Sequence, residues 1–306
     1  MTRRFLLKLQ VHRRPVAVLV MILACFGSTA AGQAPGRDWS AVEKALGRRG
    51  LSQPTDVMRF GFPRGDLQVA IGNVQLLPAF ALGGWVAFHA EGAATTMMGD
   101  LVLTEAEVTP VLDRLRQDGV RITAVHNHLL GETPRITYAH IHGHGDPARL
   151  AETVHAALAL TQTPLGQPPA VMPVRLDLDT TAITKALGIS GRANGGVYQV
   201  SVPRATTVRE EGRIVPPAMG LSTAINFQPL GGNRAAITGD FVMVASEVDA
   251  VQRALRASGI SITALHSHLT DEQPRLFFMH FWAVDDATTL ARGLRSALDR
   301  MAVKRS

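Results

Sequence analysis

Residues 99–140 read GDLVLTEAEVTPVLDRLRQDGVRITAVHNHLLGETPRITYAH, and residues 239–280 read GDFVMVASEVDAVQRALRASGISITALHSHLTDEQPRLFFMH. The two stretches align without a gap at a constant offset of 140 residues, and about 19 of about 42 positions are identical. The offset is longer than the period of a solenoid repeat, so the sequence predicts a duplicated domain. The retained positions include three histidine pairs, His126/His266, His128/His268 and His140/His280.

The composition is that of a globular protein with more than one domain. The chain has 306 residues, of which 46% are hydrophobic and 18% are charged. Its formal net charge is +6, but residues 1–34 contain five basic residues and no acidic one, so the remainder is nearly balanced. Without a concentrated basic surface, we expect no nucleic-acid partner.

The N-terminal segment, residues 1–34, has the features of a signal peptide. A basic region precedes the apolar run from Val16 to Phe26, and small residues follow. Residues 2–8 (TRRFLLK) resemble a twin-arginine signal, whereas residues 22–25 (ILAC) resemble a lipobox that would attach a lipid to Cys25, the only cysteine. A plain secretory signal is the third alternative. The sequence therefore predicts an exported protein, either periplasmic or anchored to the envelope through a lipidated Cys25.

Each half shows the same order of predicted elements. A short helix opens each half, at residues 38–47 and 179–188, and several strand-like stretches follow. The aligned block then predicts strand, helix, strand, turn and strand, and a closing helix follows it, at residues 146–160 and 285–301. Asp100 and Asp240 follow a glycine, which is typical of a turn before a strand.

This order predicts an α+β fold with two tandem homologous domains. Each domain is expected to be an antiparallel, ferredoxin-like βαββα sheet with extra N-terminal strands and helices on one face. The predicted boundaries are 35–160 for the first repeat, 161–175 for a proline-rich linker and 176–306 for the second repeat.

The paired histidines predict a metal site in each repeat. Side chains two residues apart on a strand share a face, so His126 and His128 point the same way, and His140 lies on the next strand. Three imidazoles brought together in this way fit a transition metal such as zinc, although copper, nickel and iron also accept them. The corresponding ligands of the second repeat are His266, His268 and His280.

Three further residues extend this hypothesis. His142 is a candidate ligand in the first repeat only, because Trp282 occupies the equivalent position. Glu132 and Glu272 follow the second histidine of each pair by four residues and are candidate ligands or general bases. With such a base, metal-assisted hydrolysis is the default reaction class if the protein is an enzyme.

Other interpretations of the same residues remain open. The histidines can be hydrogen-bonded core residues, Glu107 and Glu247 can serve a helix N-terminus, and Arg135 and Arg275 can pair with an acid. The alternative function is non-catalytic binding of an envelope ligand, such as a glycan or small molecule, in a cleft between the repeats. A purely structural envelope role is also open. The aromatic candidates for such a cleft are Trp85, Phe88, Phe278 and Trp282.

The duplicated block resembles a known family. Its GD pair, its E-V helix start, its HNH or HSH strand and its PR-x4-H strand are similar to the duplicated bacterial domain of unknown function found in the mycobacterial lipoproteins LppY and LpqO. The resemblance covers nearly all of residues 38–302. It implies an exported or membrane-anchored envelope protein, and it implies no catalytic residue.

Overall fold

Residues 37–306 form one compact unit that contains both repeats. The computed structural model describes Met1 and residues 37–92, 94–168 and 175–304. The predicted signal peptide and Cys25 lie outside the described residues, apart from Met1. No helix in the described part of the chain is long and apolar enough to cross a membrane.

The first repeat contains four helices and nine strands in its described residues. The helices are α1 (Ser40–Leu46), α2 (Pro78–Ala81), α3 (Glu105–Gln117) and α4 (Pro147–Leu158). The strands are β1 (Leu51–Gln53), β2 (Val57–Pro63), β3 (Ala70–Ile71), β4 (Val74–Gln75), β5 (Gly83–Glu91), β6 (Ala94–Thr104), β7 (Arg121–His126), β8 (Glu132–Thr133) and β9 (Ile136–Gly145).

The second repeat has the same plan, with a 3-10 helix at Pro217–Met219 in its described residues. The α-helices are α5 (Thr180–Leu187), α6 (Ala245–Ala257) and α7 (Ala287–Leu298). The strands are β10 (Arg192–Asn194), β11 (Val197–Pro203), β12 (Val208–Glu210), β13 (Arg213–Val215), β14 (Ser222–Pro229), β15 (Arg234–Val244), β16 (Ser261–His266), β17 (Glu272–Gln273) and β18 (Leu276–Asp286).

The described strands form four antiparallel sheets, and the ferredoxin-like prediction is wrong. Each repeat has a six-stranded sheet, in the order β1-β2-β5-β6-β9-β7 or β10-β11-β14-β15-β18-β16. The N-terminal strands are thus an integral half of each sheet and not an addition to a four-stranded ferredoxin-like core. Each repeat also carries a separate three-stranded sheet, β4-β3-β8 or β13-β12-β17.

Buried ion pairs fix the helix that follows β6 or β15. Glu107 accepts a hydrogen bond from the Thr104 backbone N–H at 2.8 Å and contacts Arg64 at the same distance. The second repeat repeats the pair with Arg204 and Glu247, whose side chains lie 2.7 Å apart. From the sequence, Arg135 and Arg275 were the candidate partners of such acids. Arg275 instead contacts Glu272, at 3.2 Å.

One face of each large sheet is covered by helices of its own repeat. In the first repeat, Leu46, Val111 and Val154 from α1, α3 and α4 are buried in a single core with strand residues such as Phe88 and Ile141. The second repeat has an equivalent core, built on α5, α6 and α7. This amphipathic arrangement follows from the three-and-four spacing of apolar residues in the helices.

The other faces of the two large sheets are buried in cores shared by the repeats. One core joins Val57 and Met98 of the first repeat to Phe278 of the second. Another joins Tyr138 of the first repeat to Val197 of the second. The two repeats therefore pack as an intramolecular pseudo-dimer, and residues on these faces meet their counterparts.

The segments around the small sheets strengthen this interface from both sides. In the first repeat, the backbone N–H of Leu77 donates to Gln228 of the second repeat at 2.9 Å, and Gln199 donates to the carbonyl of Ala79 at 2.7 Å. In the second repeat, Arg213 contacts Glu91 of the first repeat at 3.1 Å. Each repeat thus extends a segment over the sheet of the other.

We predict that Gly239→Ala destabilises the protein. Gly239 lies in the middle of β15, and an added Cβ would lie 1.9 Å from the carbonyl oxygen of Ala224 on the neighbouring strand. The strands would have to separate, at a cost of about 3 kcal/mol of unfolding free energy. Gly61→Ala in β2 is the control, because its Cβ would meet nothing within 4 Å. Urea unfolding of the two variants measures the difference, and equal stabilities would contradict the packing described.

Candidate functional site: a histidine centre between the repeats

The three paired histidines of each repeat lie at the edge of its large sheet. His126 ends the edge strand β7, His140 lies on β9, and His128 follows in the loop. The register pairs Ala124 with His140 and His126 with Tyr138, so His126 and His140 are diagonal neighbours, with ring centroids 5.0 Å apart. The strand thus ends before His128, which we expected to lie on it, but the ring centroid of His128 is still 5.0 Å from that of His126.

The two trios form one cluster and not two separate ones. The rings of His126 and His266 stack across the repeat interface with centroids 3.6 Å apart. His140 meets His268 at 3.6 Å, and the equivalent pair, His128 and His280, meets at 3.8 Å. Such reciprocal contacts are those of an interface with twofold symmetry. We call these six residues the histidine centre.

The histidine centre is rich in buried polar atoms that have no hydrogen-bond partner. The Nε2 atoms of all six histidines are buried without a partner within the described structure. Three groups of side chains place one ligand atom each within 4.8 Å of the others, namely His126/His128/His140, His126/His266/His268 and Asp240/His268/His280. Unpaired buried polar atoms are rare because each costs about 1–3 kcal/mol, so their concentration here requires an explanation.

Two aspartates, for which the sequence predicted turns, also lie beside the histidine centre. Asp100 lies within β6 opposite His140, and Asp240 lies within β15 opposite His280. An oxygen of Asp100 is 3.8 Å from His140 Nε2, and one of Asp240 is 3.8 Å from His268 Nε2. The turn interpretation is wrong because the glycine before each aspartate lies inside a strand. The retention of the Gly-Asp pair in both repeats is the sequence feature that could have identified these aspartates as site residues.

Backbone contacts hold the loops that carry His128 and His268. The Asn127 side chain donates to the carbonyl of Ile136 at 2.6 Å, and Ser267 donates to the carbonyl of Leu276 at 3.1 Å. Across the interface, the Thr263 hydroxyl donates to the carbonyl of His128 at 2.6 Å. These bonds tie each loop to its own hairpin and one loop to the opposite repeat.

Burial keeps the imidazoles neutral. It lowers the pKa of His126 to about 4 and that of His266 to about 3. The pKa values of the other four histidines fall well below the usual range, because burial and the neighbouring imidazoles both disfavour a positive charge. Neutral imidazole is the form that ligates a metal.

Burial has the opposite effect on the two carboxyl groups. It raises the pKa of Asp100 to about 8, although the nearby Arg59 acts against the shift. The pKa of Asp240 rises well above its usual value, and the charge of Asp100 contributes to this increase. A cation placed beside both groups would favour their ionised form.

His142 lies on the same strand as His140 but is not brought to the histidine centre. Its Nδ1 atom lies 2.5 Å from an Arg121 nitrogen, and its Nε2 atom lies 3.3 Å from Glu210 of the second repeat. Because the guanidinium can only donate, Nδ1 accepts, and a neutral His142 carries its proton on Nε2. The lone pair of the neutral His142 ring is therefore directed at Arg121.

The two candidate glutamates lie on the short strands β8 and β17 and belong to none of the three ligand groups in the described structure. Glu272 is buried and accepts hydrogen bonds from the Leu276 backbone N–H at 2.9 Å and from Arg275 at 3.2 Å. Glu132 is also buried, and its Oε2 atom has no partner. The geometry therefore does not bring either glutamate together with the imidazoles.

Of the four aromatic residues considered for a ligand cleft, Phe278 lies beside the histidine centre, where it stacks on His268 with centroids 3.5 Å apart. Phe88 is fully buried in a core. Trp85 lies under the guanidinium of Arg59, at 3.7 Å from the ring centroid. Trp282 makes an edge contact with Phe80 at 6.1 Å. Tyr138, which was not a candidate, stacks on His128 with centroids 3.3 Å apart.

A family model described as Domain of Unknown Function (DUF1259) matches the chain twice, over residues 40–160 and 181–300. The two matches contain one histidine trio and one Gly-Asp pair each. They confirm that the chain carries an internal duplication of a domain of unknown function. No curated protein matches the chain.

Solved structures that resemble the chain include two trimeric microcompartment shell proteins and EtuB. They are a double-ringed trimeric shell protein of the RMM microcompartment (13% identity, 69% of this chain and 84% of that chain, TM-score 0.19), EtuB from Clostridium kluyveri (11%, 81% and 90%, 0.19), and the trimeric shell protein PduB (12%, 81% and 88%, 0.21). At TM-scores this low, the likeness supports no conclusion about fold, assembly or function.

We predict that protein kept in a chelator loses stability as the pH falls from 7 to 5. The unfolded chain binds protons at its histidines near pH 6.5, whereas folded His126 and His266 take them up only near pH 4 and 3. The free energy of unfolding therefore falls as the pH drops below 6.5. Between pH 7 and pH 5 the loss is about 2 kcal/mol for each of these histidines. Urea unfolding at both pH values should show a smaller loss for His126→Gln/His266→Gln. An unchanged pH dependence in the double variant would contradict the burial of these rings.

Proposed function

The chain belongs to the DUF1259 family, and we propose that its two repeats jointly bind a divalent transition metal, with zinc as the first candidate, in the histidine centre. One observation carries the proposal. Six imidazoles from both repeats face one another with every Nε2 atom buried and unpaired within the described structure. A bound metal would give these nitrogens the partners that the protein does not supply.

The donor set suits this class of metal. Imidazole nitrogen is a ligand for zinc, copper, nickel and iron, and a carboxylate oxygen completes many zinc sites. Calcium and magnesium prefer sites built almost entirely of oxygen. The six histidines of the histidine centre and the two aspartates beside it therefore favour a transition metal over either of these ions.

The distances require only small side-chain movements. The ligand atoms in each of the three groups lie within 4.8 Å of one another. Nitrogen ligands at about 2.0–2.1 Å from one tetrahedral zinc ion lie about 3.3 Å apart, so binding would draw the rings inward by an ångström or so. Rotation about side-chain bonds supplies movements of this size without a change in the strands.

A hydrogen bond behind one imidazole supports the same role. The Nδ1 atom of His280 lies 2.8 Å from the carbonyl oxygen of Gly239. A carbonyl accepts, so the proton is held on Nδ1 and the lone pair of Nε2 is directed to the interior of the histidine centre. Metal-ligating histidines usually have such a second partner, which fixes the tautomer and the ring orientation.

The proposal is metal binding without a hydrolytic step. Hydrolysis would need a base beside the bound ion, and Glu132 and Glu272 are not grouped with the imidazoles in the described structure. Both oxygens of Glu272 are already held by Leu276 and Arg275. The arrangement is therefore closer to the non-catalytic binding role than to the hydrolase, with the metal itself as ligand.

We further propose that the protein works outside the cytoplasm. This rests on the sequence of residues 1–34 and on the resemblance to the LppY and LpqO lipoproteins, both of which favour an envelope location. The protein would then bind its metal in the periplasm, or on the membrane surface if Cys25 carries a lipid.

We predict that the purified protein, after dialysis against zinc and then against buffer, retains stoichiometric metal in elemental analysis. His126→Ala/His128→Ala should lose at least half of it, because the change removes two of the three imidazoles that the first repeat contributes. His144→Ala/His155→Ala is the matched control, since neither residue belongs to a ligand group in the described structure. Metal-free wild-type protein, or equal occupancy in the two double variants, would overturn the proposal.

A further inference from the structure

We infer that the histidine centre is a two-ion site, with one ion held mainly by each repeat and with Asp100 and Asp240 as the fourth ligands. This inference rests on the proposed function and adds the number of ions and two ligands to it. The chemistry it assigns is a pair of neighbouring divalent transition-metal ions.

The ligand groups themselves separate into two sets. One group consists of His126, His128 and His140, all from the first repeat, and another of Asp240, His268 and His280, all from the second. These two groups share no residue. Both can therefore be occupied at once, which a single ion in the middle of the cluster would not explain.

The duplication completes each set to the same composition. Asp100, the counterpart of Asp240, has oxygens 4.0 Å from His128 Nε2 and 3.8 Å from His140 Nε2. In the second repeat, the ring of His266 lies 4.8 Å from that of His268 and 4.9 Å from that of His280. Each half then offers three imidazoles and one carboxylate.

The number of unpaired donor atoms agrees with two ions. Among these eight residues, nine side-chain atoms are buried without partners in the described structure, namely the six Nε2 atoms, one oxygen each of Asp100 and Asp240, and Nδ1 of His266. A tetrahedral transition-metal site uses four ligands, so two such sites use one atom from each of the eight residues. A single four-coordinate ion would leave five of the nine atoms unpaired and buried.

The charges point in the same direction. Asp100 and Asp240 have side chains only 13% and 15% exposed. A carboxylate buried to this extent needs a cation beside it to be stable in its ionised form. One divalent ion beside each carboxylate supplies that charge.

The competing arrangement is also visible in the structure. His126, His266 and His268 form a third group that draws on both repeats. A single ion held there would lie near the pseudo-twofold axis, and it would not use Asp100 or Asp240. The number of ions and the role of the aspartates therefore distinguish the two arrangements.

The test is a zinc titration of the purified wild-type chain, followed by calorimetry and elemental analysis. We expect two zinc ions per chain. Asp100→Asn and Asp240→Asn should each weaken the binding of one ion at least tenfold, since a neutral amide replaces a charged ligand of the same size. Asp113→Asn on the exposed face of α3 is the control and should bind like the wild type.

A second measurement does not depend on the variants. Copper(II) added to wild-type protein should give an isolated-ion electron paramagnetic resonance signal at low loading. At two equivalents, that signal should broaden or disappear, because neighbouring ions interact magnetically. This readout remains decisive if an aspartate variant fails to fold.

The outcomes separate this inference from the proposed function. A single ion per chain, two ions whose signals do not interact, or aspartate variants that fold and bind both ions normally would each overturn the two-ion site while the histidine centre remains a metal site. No bound ion at all would overturn both.

Discussion

The face-to-face packing of the two repeats is the constraint on which the rest of the structure depends. Each large sheet covers one face with its own helices and buries the other against its partner repeat. Hydrophobic burial on this second face holds the repeats together, and it also removes the six imidazoles from water. The lowered pKa values, the unpaired nitrogens and the candidate metal site all follow from this packing.

Gene duplication explains why the centre is built from equivalent pairs. When two copies of one fold meet through the same surface, each contact between unlike positions occurs twice, and a position on the axis meets its own counterpart. His126 and His266 are such a pair on the axis, and the contacts His128–His280 and His140–His268 are the two copies of one contact. A tandem arrangement of independent domains would give no such relation.

The sequence was sufficient for the features that are local or repeated. The duplication follows from a gapless alignment, and the closeness of His126 and His140 follows from neighbouring strands with a short connection. The closing helices also lie near their predicted positions. Their ends are marked by residues whose effect is local, such as Asp146, which accepts from the Arg149 backbone N–H at 2.9 Å.

The features that the sequence did not predict depend on long-range packing. Nothing in the local pattern indicates that two trios separated by 140 residues share one centre. Asp100 and Asp240 were misassigned because a Gly-Asp pair has the same composition in a turn and in a strand where backbones approach closely. His142 shares a strand face with His140, as a ligand would. Its ring instead contacts Arg121 on the neighbouring strand and Glu210 of the second repeat. The ferredoxin-like prediction failed because the pairing of the N-terminal strands with β6 and β15 is not encoded in their order.

The most direct measurement is a crystal structure of the zinc-loaded protein with anomalous diffraction data collected at the zinc edge. We expect anomalous density surrounded by imidazoles of both repeats, at the interface where His126 meets His266. Imidazoles separated into two distant sites, or zinc bound elsewhere while these rings remain without metal, would contradict it.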